Sequence, residues 1–282
     1  MKYLITGATG DVGSRVTEML IERGERPRIF ARDSKKAQAR FGERVEIFVG
    51  DLVDIASLKP ALKGVDALFL VTTGPEIPSL DEDTATIAKA TGVRHLVKLS
   101  SMDVAQGLAI GAWHEQGEAA IQASGIPFTF VRPSGFMSNL MAWTHSVRFE
   151  GIVRASTGNG RRAFIHSNDI ASVSTMALTT GAYLGQSLTI TGSEALTFAD
   201  LTARIGDAIG RALKFESISD EEARQRYAAT GASATETDAH VALWRAIREG
   251  RLATVTNVVE QVLGRPPIRF DQWLSENEAA FR

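Results

Sequence analysis

"YLITGATGDVGSR", residues 3–15, decides how the rest of the chain is read: an apolar run enters directly into glycines at 7, 10 and 13. Residues without side chains at the junction of a strand and a helix let the backbone approach a ligand closely. The helix N-terminus behind them offers free amides and the positive end of its dipole, an arrangement suited to a pyrophosphate. A dinucleotide is the natural guest, held by Gly7, Thr9, Gly10, Asp11 and Val12. The spacing is G-x-x-G-x-x-G, unlike the G-x-G-x-x-G of many dehydrogenases, and a tight turn alone would also use glycines. What favours the dinucleotide is context: a buried strand before, a helix at once after, and further strand–helix units beyond.

Those units are visible outward from the turn. KYLIT (2–6), RPRIF (26–30), RVEIFV (44–49), VDALFLV (65–71), RHLVKLS (94–100) and IPFTFV (126–131) read as strands, mostly continuous in hydrophobicity as strands buried on both faces are. Helical patterns lie between them at 11–23, 33–41, 54–62, 81–91, 111–124 and 135–146. This alternation predicts an α/β fold, a Rossmann-type doubly wound parallel sheet with right-handed crossovers. Beyond 150 the pattern loosens into one further strand, QSLTIT (186–191), and helical stretches at 197–210, 219–230, 236–249 and 254–263. The expected division is a nucleotide-binding domain over 1–150 and a mainly helical substrate-binding lid over 151–282, part of which returns to the sheet.

The composition narrows the function. Thirty-one Lys and Arg against 33 Asp and Glu leave a formal charge of −2, with no electrostatic footprint for nucleic acid or a membrane surface. The chain has no cysteine, which removes disulfides, thiolate catalysis and cysteine-held metal from consideration. No His, Asp and Glu set has metal-ligand spacing, so no metal is expected. No apolar run reaches membrane-spanning length and no leader pattern opens the sequence, so a cytoplasmic protein acting on a small molecule is expected.

The end of the second strand meets the adenosine ribose in such folds. "FARDSKK" puts Arg32 there, matched in charge and shape to a 2′-phosphate, with Lys35 and Lys36 behind it. NADPH is therefore the expected cofactor, while the neighbouring Asp33 leaves NADH open. After the third strand, Asp51 offers a carboxylate to the adenine amino group and Leu52 an aliphatic flank.

Taken together, "LITGATGDVGSRV", "ARD", "GDLVD", "LVKLSSMD", "WHEQGEAAIQASGIPFTFVRPSGFMSNL" and "FIHSNDIASV" resemble the NmrA-like atypical short-chain dehydrogenase/reductases over nearly the whole chain. The resemblance implies a Rossmann domain with a small substrate region, and either NADPH-dependent reduction of quinones and ketones or cofactor sensing without turnover. It also exposes a departure. The family's wider relatives protonate the developing alkoxide with the Tyr of a Y-x-x-x-K pair, and no such pair exists here: Tyr3, Tyr183 and Tyr227 are followed four residues on by Gly7, Ser187 and Gly231. Alignment by the resemblance puts Ile110 at the Tyr position and His114 at the Lys position.

The candidate catalytic groups are consequently Ser100 or Ser101 after the fifth strand, His114, and the substrate itself, since a phenol beside the reacting carbonyl stabilises the oxyanion internally. Thr72 and Thr73 are expected toward the diphosphate–ribose side of the cofactor. Phe136, Met137 and Asn139 are expected near the substrate, whereas His166 and Asp169 read as structural. The function expected is NADPH-dependent reduction of a bulky polycyclic aromatic ketone or quinone, of the kind met in polyketide tailoring and antibiotic biosynthesis. The alternative is a cofactor-sensing regulator. Oligomeric state is left open.

Overall fold

A computed structural model describes residues 1–282. In chain order the strands are β1 (Tyr3–Thr6), β2 (Arg28–Ala31), β3 (Glu46–Val49), β4 (Ala67–Val71), β5 (His95–Leu99), β6 (Phe128–Pro133), β7 (Ile152–Ala155), β8 (Arg161–Ala163), β9 (Gln186–Ile190), β10 (Ala195–Thr197) and β11 (Lys214–Ser217). The helices are α1 (Asp11–Glu22), α2 (Ser34–Phe41), α3 (Lys59–Leu62), α4 (Ile77–Ala90), α5 (Ala109–Ser124), α6 (Thr144–Phe149), α7 (Ser167–Thr180), α8 (Phe198–Ile209), α9 (Asp220–Ala228), α10 (Ala234–Arg248), α11 (Val258–Leu263) and α12 (Phe270–Phe281).

The chain forms two compact units that are interleaved in sequence. The first holds 1–104, 111–133 and 167–189; the second holds 105–110, 134–166 and 190–282. Residue 150 falls inside the second unit's 134–166 segment.

The first unit is built on a seven-stranded sheet in the order β3-β2-β1-β4-β5-β6-β9. The strand pairs from β3 through β6 are all parallel. Gly185 N–H donates to Phe128 O at one end of the β6–β9 seam and Ser134 N–H to Ile190 O at the other, so β9 also runs parallel. Strand order reverses between β1 and β4, which places a crevice at their carboxyl ends, where open α/β sheets bind ligands. The central strands β1, β2, β4 and β5 are buried on both faces, with Leu4, Ile5, Leu68, Phe69, Leu70, Leu96 and Val97 fully enclosed. That is why their sequence pattern is continuous rather than alternating. On α2, Asp33 is the N-cap and its carboxylate accepts the Lys36 N–H at 3.0 Å. Helix α7 joins α1: the Ser167 hydroxyl donates to Asp11 Oδ2 at 2.6 Å and Arg15 Nη1 to Asn168 Oδ1 at 2.5 Å.

The second unit carries two small sheets, antiparallel β8–β10 and parallel β7–β11. Its core gathers Phe164, Phe198, Leu201, Ile205, Trp273 and Phe281. Helices α8 and α10 begin at capping boxes, Thr197 with Asp200 and Ser233 with Glu236. Each box satisfies two backbone donors at the helix start, which makes these helices legible in sequence.

The four helices expected after 197 are present as α8 to α11. The helix expected over 135–146 is not continuous. Phe136 forms a β-bridge with Ile165, and Met137 N–H donates to Ile165 O at 2.9 Å, which holds 136 extended. A 3-10 turn then spans Met137–Trp143 before α6 starts. Helix α12 was not expected. No helix is long and apolar enough to cross a membrane.

Candidate functional site

The turn between β1 and α1 is shaped by its glycines in three different ways. Gly7 has φ +61°, a region that L side chains rarely adopt. A Cβ on Gly13 would stand 2.3 Å from Gly7 O, so the first turn of α1 packs on the turn itself only because residue 13 is bare. Gly10 is the N-cap of α1, with ordinary φ of −88° and no side chain to cap the helix. A Cβ there would meet only Gly7 O, at 3.2 Å. The first N–H groups of a helix have no intrahelical acceptor, and here no side chain from the cap takes them. The residues therefore fit a pyrophosphate: a bare, exposed N-cap with open amides and the positive helix end. Asp11 is exposed and bound to Arg15 and Ser167, while Val12 is buried, so both face the turn through their backbone; Thr9 is half-buried.

At the ends of β2 and β3, Arg32 and Asp51 face each other, with Arg32 Nη1 4.0 Å from Asp51 Oδ2. The Arg32 side chain is 82% exposed, leaving the guanidinium accessible to a phosphate. Asp51 also accepts the Val53 N–H, and Leu52 beside it is half-buried. Replacement of Arg32 by Ala is expected to weaken NADPH by about tenfold or more while changing NADH little. Only the phosphorylated cofactor loses a charge-assisted contact, worth roughly 1.5–3 kcal/mol. Equal losses for the two cofactors, measured by titration, would remove Arg32 from 2′-phosphate recognition.

The carboxyl ends of β4 and β5 hold two polar networks that the sequence did not announce. Lys98, fully buried in β5, pairs with the equally buried Asp81 of α4, Nζ to Oδ2 at 2.5 Å. Thr72 joins them, donating to Asp81 Oδ1 at 2.8 Å and accepting from Lys98 Nζ at 3.0 Å. Burial pushes the Asp81 carboxyl up and the Lys98 ammonium down, each opposed by the other's charge. Thr72 is thus committed to this cluster, and Thr73, which is exposed, is the threonine of the pair with a free face.

In the second network Ser100 donates to Glu118 Oε1 at 2.5 Å, Arg132 Nε donates to the same oxygen at 3.0 Å, and Arg132 Nη2 pairs with Oε2. Ser101 accepts the Asp103 N–H at 3.1 Å and so caps the turn that follows. Both serine candidates therefore have local structural duties. Glu118, one helical turn beyond His114, serves Ser100 and Arg132 instead of the imidazole.

His114 is 8% exposed, and its Nδ1 is buried with no hydrogen-bond partner. Burial, reinforced by the Lys98 charge, lowers its pKa to about 3. At neutral pH it is an uncharged imidazole, able to hydrogen-bond but unsuited to act as a cationic acid. His95 and His240 are likewise pushed to about 4 by burial. The folded state holds these histidines neutral while the unfolded chain protonates them near 6.5, so their contribution to stability is full above that pH and lost as pH falls toward 3. Denaturant unfolding at stepped pH should show stability falling below about 6.5; a flat profile from 6.5 down to 4 would contradict the buried-neutral assignment.

The second unit contains a cavity of about 330 Å³ lined by Trp143, Phe164, Phe198, Tyr227, His240 and Trp244 among others. Of the expected substrate residues, Asn139 lines it. Met137 instead packs into the unit's core at 2% exposure, and Phe136 is held by its bridge to Ile165. No group of three or more His, Asp or Glu that could hold a metal ion is present.

Residues 7–180 match a family described as NAD(P)H-binding. The chain is 39% identical over 281 residues, 99% of its length and 98% of the relative's, to a (4-alkanoyl-5-oxo-2,5-dihydrofuran-3-yl)methyl phosphate reductase of Streptomyces griseus. It is 33% identical to an NAD(P)H azoreductase of Xenophilus azovorans, covering 99% and 98% of the two chains. The fold is like that of the NADPH-dependent quinone oxidoreductase of Escherichia coli solved with NADPH, at TM-score 0.89 and 22% identity over 98% and 99% of the chains. The chain belongs to the NAD(P)H-binding family, as the NmrA-like resemblance implied.

Proposed function

We propose that this NAD(P)H-dependent oxidoreductase, acting in the cytoplasm, reduces a carbonyl or quinone of a bulky, planar, polycyclic aromatic acceptor with NADPH. The observation that carries the substrate class is the cavity of the second unit, whose walls are Trp143, Phe164, Phe198, Tyr227 and Trp244. Aromatic faces reward a flat conjugated ring system through stacking and burial of apolar area. The relatives' names support reduction of conjugated acceptors: an alkanoyl-furanone phosphate, an azo compound and a quinone.

Bound NADPH supplies the hydride. The chain's own residues bind and orient. The bare N-cap at Gly10 and the α1 amides hold the pyrophosphate, and Arg32 holds the 2′-phosphate. Asp51 and Leu52 flank the adenine, and Thr73 faces the diphosphate–ribose side. His114 contacts the nicotinamide ribose as a neutral hydrogen-bonding group in place of the missing Lys. Ser100 and Ser101 support that edge through the Glu118–Arg132 network and the turn at Asp103.

The test is NADPH oxidation across a graded series of quinones and ketones, from single-ring to polycyclic. Catalytic efficiency should rise with ring number. Leu243→Trp, which fills the cavity, should raise KM for the large acceptors and leave NADPH affinity unchanged. NADPH binding without oxidation by any acceptor would identify a sensor instead.

A further inference from the structure

The Y-x-x-x-K pair is absent, the serines of the first unit are engaged, and His114 is neutral. For an acceptor without a phenol beside its carbonyl, a protein donor has to be sought among other groups. The cavity of the second unit contains the candidate. Tyr227, on α9, lines it, and its ring stacks on that of His240 at 3.9 Å between centroids with 10° between planes. His240 in turn lies 4.6 Å from Trp244, so the phenol is held by a short aromatic ladder. Its hydroxyl makes no hydrogen bond to the protein, and the side chain is partly exposed.

The other polar groups lining the cavity are occupied or chemically unsuited. Ser146 donates to Trp143 O and Thr230 to Tyr227 O. Arg154 pairs with Glu150 and Glu216, and Arg226 with Glu222. None of the cavity's three guanidiniums, Arg154, Arg162 and Arg226, nor the Asn139 amide gives up a proton near neutrality.

Building on the reading of this cavity as the acceptor site, we propose that Tyr227 is a catalytic residue. Its phenol donates a hydrogen bond to the acceptor's carbonyl oxygen and then delivers the proton. The carbonyl carbon takes the hydride, the C=O electron pair moves to oxygen, and the oxygen takes the Tyr227 proton. Solvent, which reaches the partly exposed side chain, returns a proton to the phenolate. The sum is acceptor, NADPH and one proton giving the alcohol and NADP+. Burial and the nearby Glu236 hold the phenol above its ordinary pKa, so it stays protonated across the neutral range and is available as a donor. His240 is uncharged there and supports the ring without competing for the role.

Tyr227→Phe keeps the ring, the stack and the cavity's shape while removing the hydroxyl. On a ketone without an internal phenol, it should lower kcat by about 10²-fold or more, the scale of a positioned general acid. NADPH affinity and melting temperature should match the unmutated protein. The quenching of Trp fluorescence by bound acceptor should also be retained, since Trp143 and Trp244 line the cavity. A ketone with a phenol beside its carbonyl should lose less on the same substitution, because its oxygen already has a donor. Turnover of the phenol-free ketone by Tyr227→Phe within about twofold of the unmutated protein would overturn the assignment while leaving the reductase reading intact. Absence of turnover by the unmutated protein on every acceptor would overturn both.

Discussion

Gly10→Val abolishes NADPH binding and leaves the protein folded. The structure separates these effects because Gly10 adopts φ −88°, which valine also adopts, and an added Cβ meets only Gly7 O at 3.2 Å. A branched side chain at the N-cap covers the amides at the start of α1, where the pyrophosphate must approach. The expected loss in affinity exceeds about 10²-fold, near 3 kcal/mol or more. NADPH fluorescence titration measures it, with circular dichroism and a melting curve confirming the fold. Gly13→Val is the contrasting variant. Its Cβ would lie 2.3 Å from Gly7 O and 2.7 Å from Gly7 C, so the turn itself must shift and stability falls along with binding. Retained NADPH affinity in folded Gly10→Val would remove the cofactor from this turn.

Asp81→Ala carries the largest expected loss of stability. Asp81 and Lys98 are both fully buried, and the carboxylate is the counter-charge that makes the ammonium tolerable in β5. Removing one partner of a buried pair strands the other, at a cost of about 3–5 kcal/mol. The deficit depends on pH with a definite sign. In the variant the folded state favours neutral Lys98 while the unfolded chain keeps it protonated to about 10.4, so stability recovers as pH rises toward that value. Asp81→Asn combined with Lys98→Met removes both charges at nearly constant shape and should restore most of the loss. Denaturant unfolding of the three proteins checks this; a single variant within 1 kcal/mol of the parent would show that the pair does not stabilise the fold.

What the sequence disclosed follows from how local each signal is. Strands 3–6, 67–71 and 95–99 are buried on both faces, so burial itself wrote their continuous apolar runs. The glycine turn and the capping boxes at Thr197 and Ser233 are equally local, involving residues three apart. The Ser100–Glu118–Arg132 network is not: its members lie on β5, α5 and β6, brought together only when the sheet forms. Lys98 did leave a trace, a lone cation inside an apolar strand, though nothing nearby named Asp81 as its partner. Helix α12 left one too, since Phe270, Trp273, Leu274 and Phe281 fall on one buried face. The cavity is assembled from residues between 135 and 247 on several short elements, so neither period nor motif marks it. That is why Tyr227 entered the sequence reading only as a tyrosine without its lysine.

In the proposed reaction, hydride passes from the cofactor to the acceptor. Single-turnover reaction of the protein with NADPH deuterated at the reactive C4 position and a polycyclic aromatic ketone tests it directly. Mass spectrometry should find deuterium on the former carbonyl carbon of the alcohol, with NADP+ formed in equal amount. Tight binding of the labelled NADPH, with unchanged ketone and no NADP+ for any acceptor offered, would contradict hydride transfer.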